Sequence, residues 1–208
     1  MTIYLVRHAQ TEANKNRIIQ GQKDTPLTEE GLKETFRTAK YLCDKNITRV
    51  FSSPLGRTAQ TSQIIANEVG FSKNSIVFVD GLKEIDLRPW LMADISTLDD
   101  SDALSSYKTY KGSPLLFKAE SGENFIDVQK RTIEAMKQIV DQCADDDNIV
   151  VVSHSVAIRT FLLYADEMGF EHIWRYKIRP SSVTKMFYKD SKFATVEIGY
   201  CPFESFDN

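Results

Sequence analysis

A run of four β-branched residues, Ile149-Val150-Val151-Val152, constrains the fold more than any other stretch of this sequence. The polar turn 145–148 comes directly before it, so the predicted boundary between exposed and buried residues is sharp. A strand that is apolar on both faces has to be covered on both faces, as happens inside a parallel sheet. The run therefore predicts a central strand with helices on either side.

Strand-like and helix-like segments alternate along most of the chain. The strand-like segments are 3–6, 49–52, 76–79 and 149–152, followed by a terminal hairpin of 183–188 and 193–200. The helix-like segments are 28–43, 56–68, 123–143 and 156–164. This order predicts an α/β fold, a three-layer α/β/α sandwich whose mixed sheet is mostly parallel.

The first long helix is defined by its start and by its apolar spacing. Thr28 is the predicted N-cap, because a hydroxyl can accept a bond from the first free backbone N–H groups. Leu32, Phe36, Ala39 and Cys43 recur every three or four residues, which predicts that they form the inward face.

The 208 residues are predicted to form one domain, 1–208. The region from about 85 to 121 lacks clear periodicity and contains several aspartates, among them Asp94, Asp99, Asp100 and Asp102. We interpret it as an insertion or lid over the ligand-binding edge of the sheet, since long loops are often functional.

The composition is that of a globular protein, with 42% hydrophobic and 26% charged residues and a net charge of -3. This charge argues against nucleic acid or an anionic membrane as a partner. We expect a cytoplasmic location, because no signal peptide or membrane-length apolar run is visible and three scattered cysteines suit a reducing compartment.

Reactive side chains follow four of the predicted strands. Arg7 and His8 follow the first, Arg57 opens the helix after the second, and Glu84 and His154 follow the third and fourth. Side chains at the carboxyl ends of parallel strands face the crevice where open α/β sheets bind ligands. We therefore expect all five in one crevice, where permanently charged guanidinium groups would suit an anionic substrate.

Each residue taken alone also has a purely structural interpretation. Arg7 could pair with an acidic neighbour, and His8 could be a hydrogen-bonded core histidine. Arg57 could be a solvated charge at a helix start, and Glu84 a surface carboxylate. His172 lies outside every motif and is interpreted as a structural or surface residue.

Six elements occur in a fixed order between Leu5 and Ser155. They are LVRHAQTEAN, QGQKDTPLTEEG, SSPLGRTAQT, LKEID, SGEN and VVSHS. Together they resemble the histidine phosphatase superfamily, in the branch that contains cofactor-dependent phosphoglycerate mutases and small phosphatases. The resemblance implies a phosphoglycerate mutase-like fold and catalysis through a covalent phosphohistidine.

The resemblance also implies a role for each matching residue. His8 would be the nucleophile, and Glu84 would be the general acid and base. Arg7 and Arg57 would bind the phosphoryl oxygens, and His154 would add a hydrogen bond. The phosphate-binding set would further include Asn14, Gln20 and Ser155.

No cofactor and no metal are expected. The two arginines and the second histidine would supply the positive charge that a metal ion supplies elsewhere. The three histidines of the chain also lack any ligand-spaced motif.

Two small departures from the family pattern flank the predicted histidines. Ala9 and Ser155 stand where glycine is usual. If the backbone at Ala9 requires a positive φ, alanine would cost on the order of 1 kcal/mol. The Ser155 hydroxyl would reach phosphate or cap the following helix.

The favoured function is a phosphomonoesterase, a phosphoric monoester hydrolase acting on a small phosphorylated metabolite. Glu84 is followed by Ile85-Asp86-Leu87-Arg88 rather than by the arginine-histidine-tyrosine-glycine run of the mutases. Mutase-type phosphoryl transfer is the first alternative, and a phosphate-binding or interaction module without turnover is the second. Four cationic residues of the lid region are candidates for binding additional negative charge on the substrate, with ordinary solvated side chains as the alternative. They are Arg88, Lys108, Lys111 and Lys118. The oligomeric state is left open, with the terminal hairpin as a candidate edge for a homodimer.

Overall fold

A six-stranded mixed sheet forms the centre of the protein in the computed structural model, which describes residues 1–95, 101–119 and 121–206. The strands are β1 (Thr2–Arg7), β2 (Arg49–Ser52), β3 (Ile76–Phe78), β4 (Asn148–Ser153), β5 (Val183–Lys189) and β6 (Lys192–Tyr200). Their order is β3-β2-β4-β1-β5-β6. β1 to β4 pair in parallel, whereas β5 and β6 pair antiparallel at one edge, as predicted.

Helices cover both faces of this sheet. The helices are α1 (Glu12–Lys15), α2 (Glu29–Cys43), α3 (Gly56–Glu68), α4 (Ser101–Gly112), α5 (Phe125–Val140) and α6 (Ser155–Ala165). In β4, Ile149 and Val151 pack with the side chains of α5 and α6, while Val150 and Val152 pack with those of α2 and α3. The alternation confirms the prediction of a central strand buried on both faces.

The inward face of α2 differs from the predicted one. Thr28 is the N-cap, and its hydroxyl accepts a bond from the backbone N–H of Gly31 at 2.9 Å. However, Phe36 is 46% exposed and Cys43 is also exposed. Thr38 points inward instead and donates to the carbonyl of Ser181, so a polar contact sets the rotation of this helix.

The region 85–121 contains more regular structure than its sequence predicts. Helix α4 lies there, flanked by short 3-10 turns at Arg88–Trp90 and Pro114–Leu116. Its serine- and tyrosine-rich sequence has no continuous apolar stripe, which explains why periodicity did not predict it. Residues 96–100, which include Asp99 and Asp100, lie outside the described part.

Within the described residues, no helix combines the length and apolar character that a membrane span requires. The cytoplasmic location stays a prediction, and so does a dimer through the hairpin.

Candidate active site

The carboxyl ends of β1, β2 and β4 bring the predicted site together. β1 and β4 are neighbours with Arg7 opposite Ser153, so His8 and His154 follow at the same level of the sheet. Their ring centroids lie 5.2 Å apart. A cavity of about 290 Å³ opens here. It is lined by Arg7, His8, Asn14, Gln20, Arg57, Glu84 and Ser155 from the predicted set, together with Tyr107, Tyr110, Lys111 and Trp174.

The His8 ring is buried and is held in one tautomer. Its Nδ1 lies 2.7 Å from the carbonyl oxygen of Ala9. Because a carbonyl can only accept, Nδ1 carries the hydrogen and Nε2 keeps its lone pair. Burial, followed by the charges of Arg57 and Arg7, lowers the pKa of His8 well below its usual value. The ring is therefore neutral at neutral pH, as a nucleophile must be.

Arg7 and Arg57 approach this ring with guanidinium groups that are fixed by backbone carbonyls. Arg7 donates through Nη1 to Ile178 at 2.8 Å. Arg57, only 2% exposed, donates to Lys23 and Gly21, both at 2.7 Å. Burial and the charge of a nearby arginine lower the pKa of Arg7 to about 10, so this side chain still carries its charge at neutral pH.

The loop after Gln20 holds Arg57 in place. Gly21 has a φ of +50°, and a Cβ built there would lie 2.9 Å from Leu91. Asp24 accepts from the Arg57 side chain at 2.9 Å and from the backbone N–H of Gly56 at 2.7 Å. The motif that contains this loop therefore fixes the direction of the Arg57 side chain, which the sequence predicts to bind phosphate.

His154 is fully buried and is bonded through one nitrogen only. Its Nε2 lies 2.8 Å from the Ser53 hydroxyl, which itself accepts from the backbone N–H of Leu55. A serine hydroxyl can donate or accept, and donation from Ser53 to Nε2 would leave the hydrogen of His154 on Nδ1. Burial, followed by the charge of Arg57, lowers the pKa of His154 well below its usual value, so this ring is neutral at neutral pH.

Buried polar atoms without a partner are concentrated at this site. Among the described residues, the buried side-chain nitrogens and oxygens that lack a partner are Arg7 Nε, Arg57 Nε, His154 Nδ1, Trp174 Nε1 and Thr195 Oγ1. Arg7, Arg57 and Trp174 line the cavity, and the ring of His154 lies beside that of His8. Only Thr195 lies elsewhere among these five. An unsatisfied buried group costs roughly 1–3 kcal/mol, so a ligand rich in acceptor oxygens would be stabilised here.

The Glu84 carboxylate lies at the N-terminus of α6. It accepts from the backbone N–H groups of Val156 at 3.1 Å and Ala157 at 3.3 Å, and from that of Ile85 at 3.0 Å. The first N–H groups of a helix have no partner within the helix, and they favour an anion. The acid predicted from the sequence is thus aimed into the cavity by backbone geometry.

Asn14 and Gln20 line the cavity but are partly committed to the local structure. The Asn14 side chain accepts a hydrogen bond from the backbone N–H of Thr11, and Thr11 is the N-cap of the short helix α1. Gln20 donates to the Thr11 hydroxyl at 2.8 Å and accepts from Thr25 at 3.1 Å. Each amide has one or more N–H donors left for a ligand.

The two departures from glycine are accommodated in different ways. Ala9 is buried, is not among the described residues with positive φ, and donates its N–H to Thr61 at 3.0 Å. Alanine therefore carries no backbone strain there. Ser155 lines the cavity, but its hydroxyl accepts from Arg159 and does not cap α6.

The four predicted lid cations lie in different places. Lys111 lines the cavity, with its ammonium 4.0 Å from the ring centre of Trp174. Arg88 is exposed and pairs with Asp86 at 2.7 Å. Lys108 and Lys118 are exposed and do not line the cavity.

Several residues at or next to the site carried no individual prediction: Ser53, Asp24, Arg159, Arg131 and Glu123. Asp24, Ser53 and Glu123 lie inside the quoted motifs, so position within a motif was the signal available for them. In the described part of the chain, no group of three or more acidic, histidine or cysteine residues is arranged to hold a metal ion.

The sequence model of the histidine phosphatase superfamily (branch 1) matches residues 3–200. A relative from Proteus mirabilis, named probable phosphoglycerate mutase GpmB, is 28% identical over 191 residues, covering 92% of this chain and 86% of the relative.

Two solved structures show the same fold. Bacillus stearothermophilus YhfR has a TM-score of 0.88 at 28% identity, covering 95% of this chain and 96% of that one. A mycobacterial glucosyl-3-phosphoglycerate phosphatase has a TM-score of 0.85 at 20% identity, covering 95% and 98%.

Proposed function

The chain belongs to branch 1 of the histidine phosphatase superfamily, and from this we propose that it is a metal-independent phosphomonoesterase acting on a small phosphorylated metabolite. One observation carries the proposal. Three buried side-chain nitrogens without a partner in the described part of the chain, on Arg7, Arg57 and His154, lie in or beside the cavity that is also lined by a neutral His8, whose Nε2 is free to attack. A phosphoryl group supplies both the acceptor oxygens and the electrophile that this arrangement lacks.

In the first half-reaction, the lone pair of His8 Nε2 would form a bond to phosphorus. The bond between phosphorus and the ester oxygen would break, and its electrons would go to that oxygen. Glu84 would deliver a proton there, releasing a neutral alcohol. Arg7, Arg57 and His154 would hold the three nonbridging oxygens as the charge is redistributed.

In the second half-reaction, water would attack the phosphohistidine. Glu84, now a carboxylate, would take the proton from this water as its oxygen bonds to phosphorus. The bond between nitrogen and phosphorus would break, inorganic phosphate would leave, and His8 would regain its lone pair. The hydrogen on Nδ1 would stay bonded to Ala9 throughout.

The test uses p-nitrophenyl phosphate in the presence of a chelator. We expect release of phosphate with an acidic-to-neutral optimum, and a loss of about 10³-fold or more in His8→Ala. A rapid quench of the wild type should trap an acid-labile phosphoryl group on His8. His172→Ala is the matched control, because this histidine lies outside the cavity. Unchanged turnover in His8→Ala would exclude the mechanism.

Mutase-type transfer is a second candidate, since the Proteus mirabilis relative is named a probable phosphoglycerate mutase. Transfer of label between phosphoglycerate isomers, faster than release of phosphate, would favour it. Binding of inorganic phosphate without turnover of any ester would instead favour a binding module.

A further inference from the structure

Glu84 lies in the segment 81–86, whose backbone is held by a partly buried ion pair outside the cavity. Arg131 of α5 and Glu123 form this pair, with Nε donating to Oε1 at 2.7 Å and Nη2 donating to Oε2 at 2.9 Å. The two side chains are about one-fifth exposed, 21% and 22%.

Arg131 binds three carbonyl oxygens of that segment. Nη1 donates to Gly81 at 2.9 Å and to Lys83 at 2.6 Å, and Nη2 donates to Glu84 at 3.0 Å. Together with the two bonds to Glu123, these contacts use all five N–H donors of the guanidinium. A lysine has a single point of donation and cannot reproduce such a planar fork.

Glu123 fixes the other end of the segment. Its Oε2 accepts from the backbone N–H of Asp86 at 3.0 Å, while its own N–H donates to the Asp86 carbonyl at 3.0 Å. Gly122 makes this approach possible, because a Cβ there would lie 2.2 Å from the Asp86 oxygen. Residues on both sides of Glu84 are thus tied to one ion pair.

From this geometry we infer that Arg131 and Glu123 are positioning residues for proton transfer by Glu84. This inference rests on the proposed function. Backbone N–H groups hold the carboxylate from one side, and the pair holds the main chain that carries it from the other. Neither Arg131 nor Glu123 lines the cavity, so phosphate binding does not depend on contact with them.

The test compares two esters of nearly the same shape, phenyl phosphate and p-nitrophenyl phosphate. Phenolate is the poorer leaving group and needs the proton from Glu84 more. General acid catalysis contributes about 10²–10⁴-fold, so partial misplacement in Arg131→Lys should lower kcat/KM by roughly 10-fold or more for phenyl phosphate. The loss for p-nitrophenyl phosphate should stay below about 3-fold.

Glu123→Gln should also lower kcat/KM more for phenyl phosphate than for p-nitrophenyl phosphate, by a smaller factor. This second variant tests the inference if Arg131→Lys does not fold. Lys130→Ala, an exposed neighbour on α5, is the matched control and should change neither ester. Inhibition by inorganic phosphate should be unchanged in all three variants, since Arg7 and Arg57 remain intact.

Equal losses on both esters, no loss on either, or loss of phosphate inhibition in a folded Glu123→Gln would overturn the inference. These outcomes differ from failure of the proposed function, which would show as absence of turnover in the wild type.

Discussion

The inner wall and the mouth of the cavity are built in different ways. We call Arg7, His8, Arg57 and His154 the inner wall. They lie at or just after the ends of β1, β2 and β4, and three of them are no more than 3% exposed. Their orientations are set by bonds to backbone carbonyls or to the Ser53 hydroxyl.

Tyr107, Tyr110, Lys111 and Trp174 line the same cavity, and we call these four residues the mouth. Aromatic packing holds it together, with the rings of Tyr110 and Trp174 centred 5.5 Å apart. Lys111 is exposed and makes no ion pair among the described residues. The difference indicates that the inner wall would supply chemistry common to all substrates, while the mouth would select among them.

After the loss expected for His8→Ala, the largest expected effect is that of a substitution in the inner wall. Arg57→Lys keeps a positive charge but loses the fork that binds Gly21, Lys23 and Asp24. We expect kcat/KM to fall about 10²–10³-fold, as when one fixed donor to a transition state is removed. The loss should be the same for every ester, measured side by side with Arg37→Lys on α2 as control. A loss of kcat/KM for only one ester would contradict this, because Arg57 would then select among substrates as the mouth is expected to do.

The inner wall was largely predictable from the sequence, because strand ends can be located from apolar runs. Arg7, His8, Arg57, Glu84 and His154 were expected in one crevice, and they lie in or beside one cavity. Parallel pairing guarantees this convergence once the strands are placed.

The supporting contacts were not predictable in the same way. Arg131 binds main-chain carbonyls about 50 residues away along the chain, and no side-chain pattern encodes such a contact. Helix α4 and the rotation of α2 likewise depend on aromatic and threonine contacts that form only in the folded chain. Periodicity detects an apolar stripe but does not detect these contacts.

An intermediate effect concerns the two histidines of the inner wall. Burial lowers the pKa of both His8 and His154, so the folded protein binds fewer protons than the unfolded chain below about pH 6.5. The free energy of unfolding should therefore fall as the pH falls from about 6.5 to 5, by up to about 1.4 kcal/mol per pH unit for each histidine.

Chemical denaturation across this pH window measures the slope. The double variant His8→Gln/His154→Gln should flatten it, whereas His172→Gln should leave it unchanged because His172 lies outside the cavity. A slope that persists in the double variant would show that other groups bind the protons.

The smallest expected effect is a change in KM that tests whether the mouth selects among substrates. Lys111→Ala removes an exposed cation whose pKa is lowered by partial burial and by Arg159. An exposed charge contact is worth about 0.2–1 kcal/mol, so KM for an ester with a second anionic group should rise only about 2–5-fold. The p-nitrophenyl and phenyl esters, which carry no anionic group besides the phosphoryl group, should keep their KM. Lys108→Ala, on the same helix but outside the cavity, should change the KM of neither class of ester. An equal rise for all esters would mean that Lys111 acts on the phosphoryl group itself, and the mouth would then share the task of the inner wall.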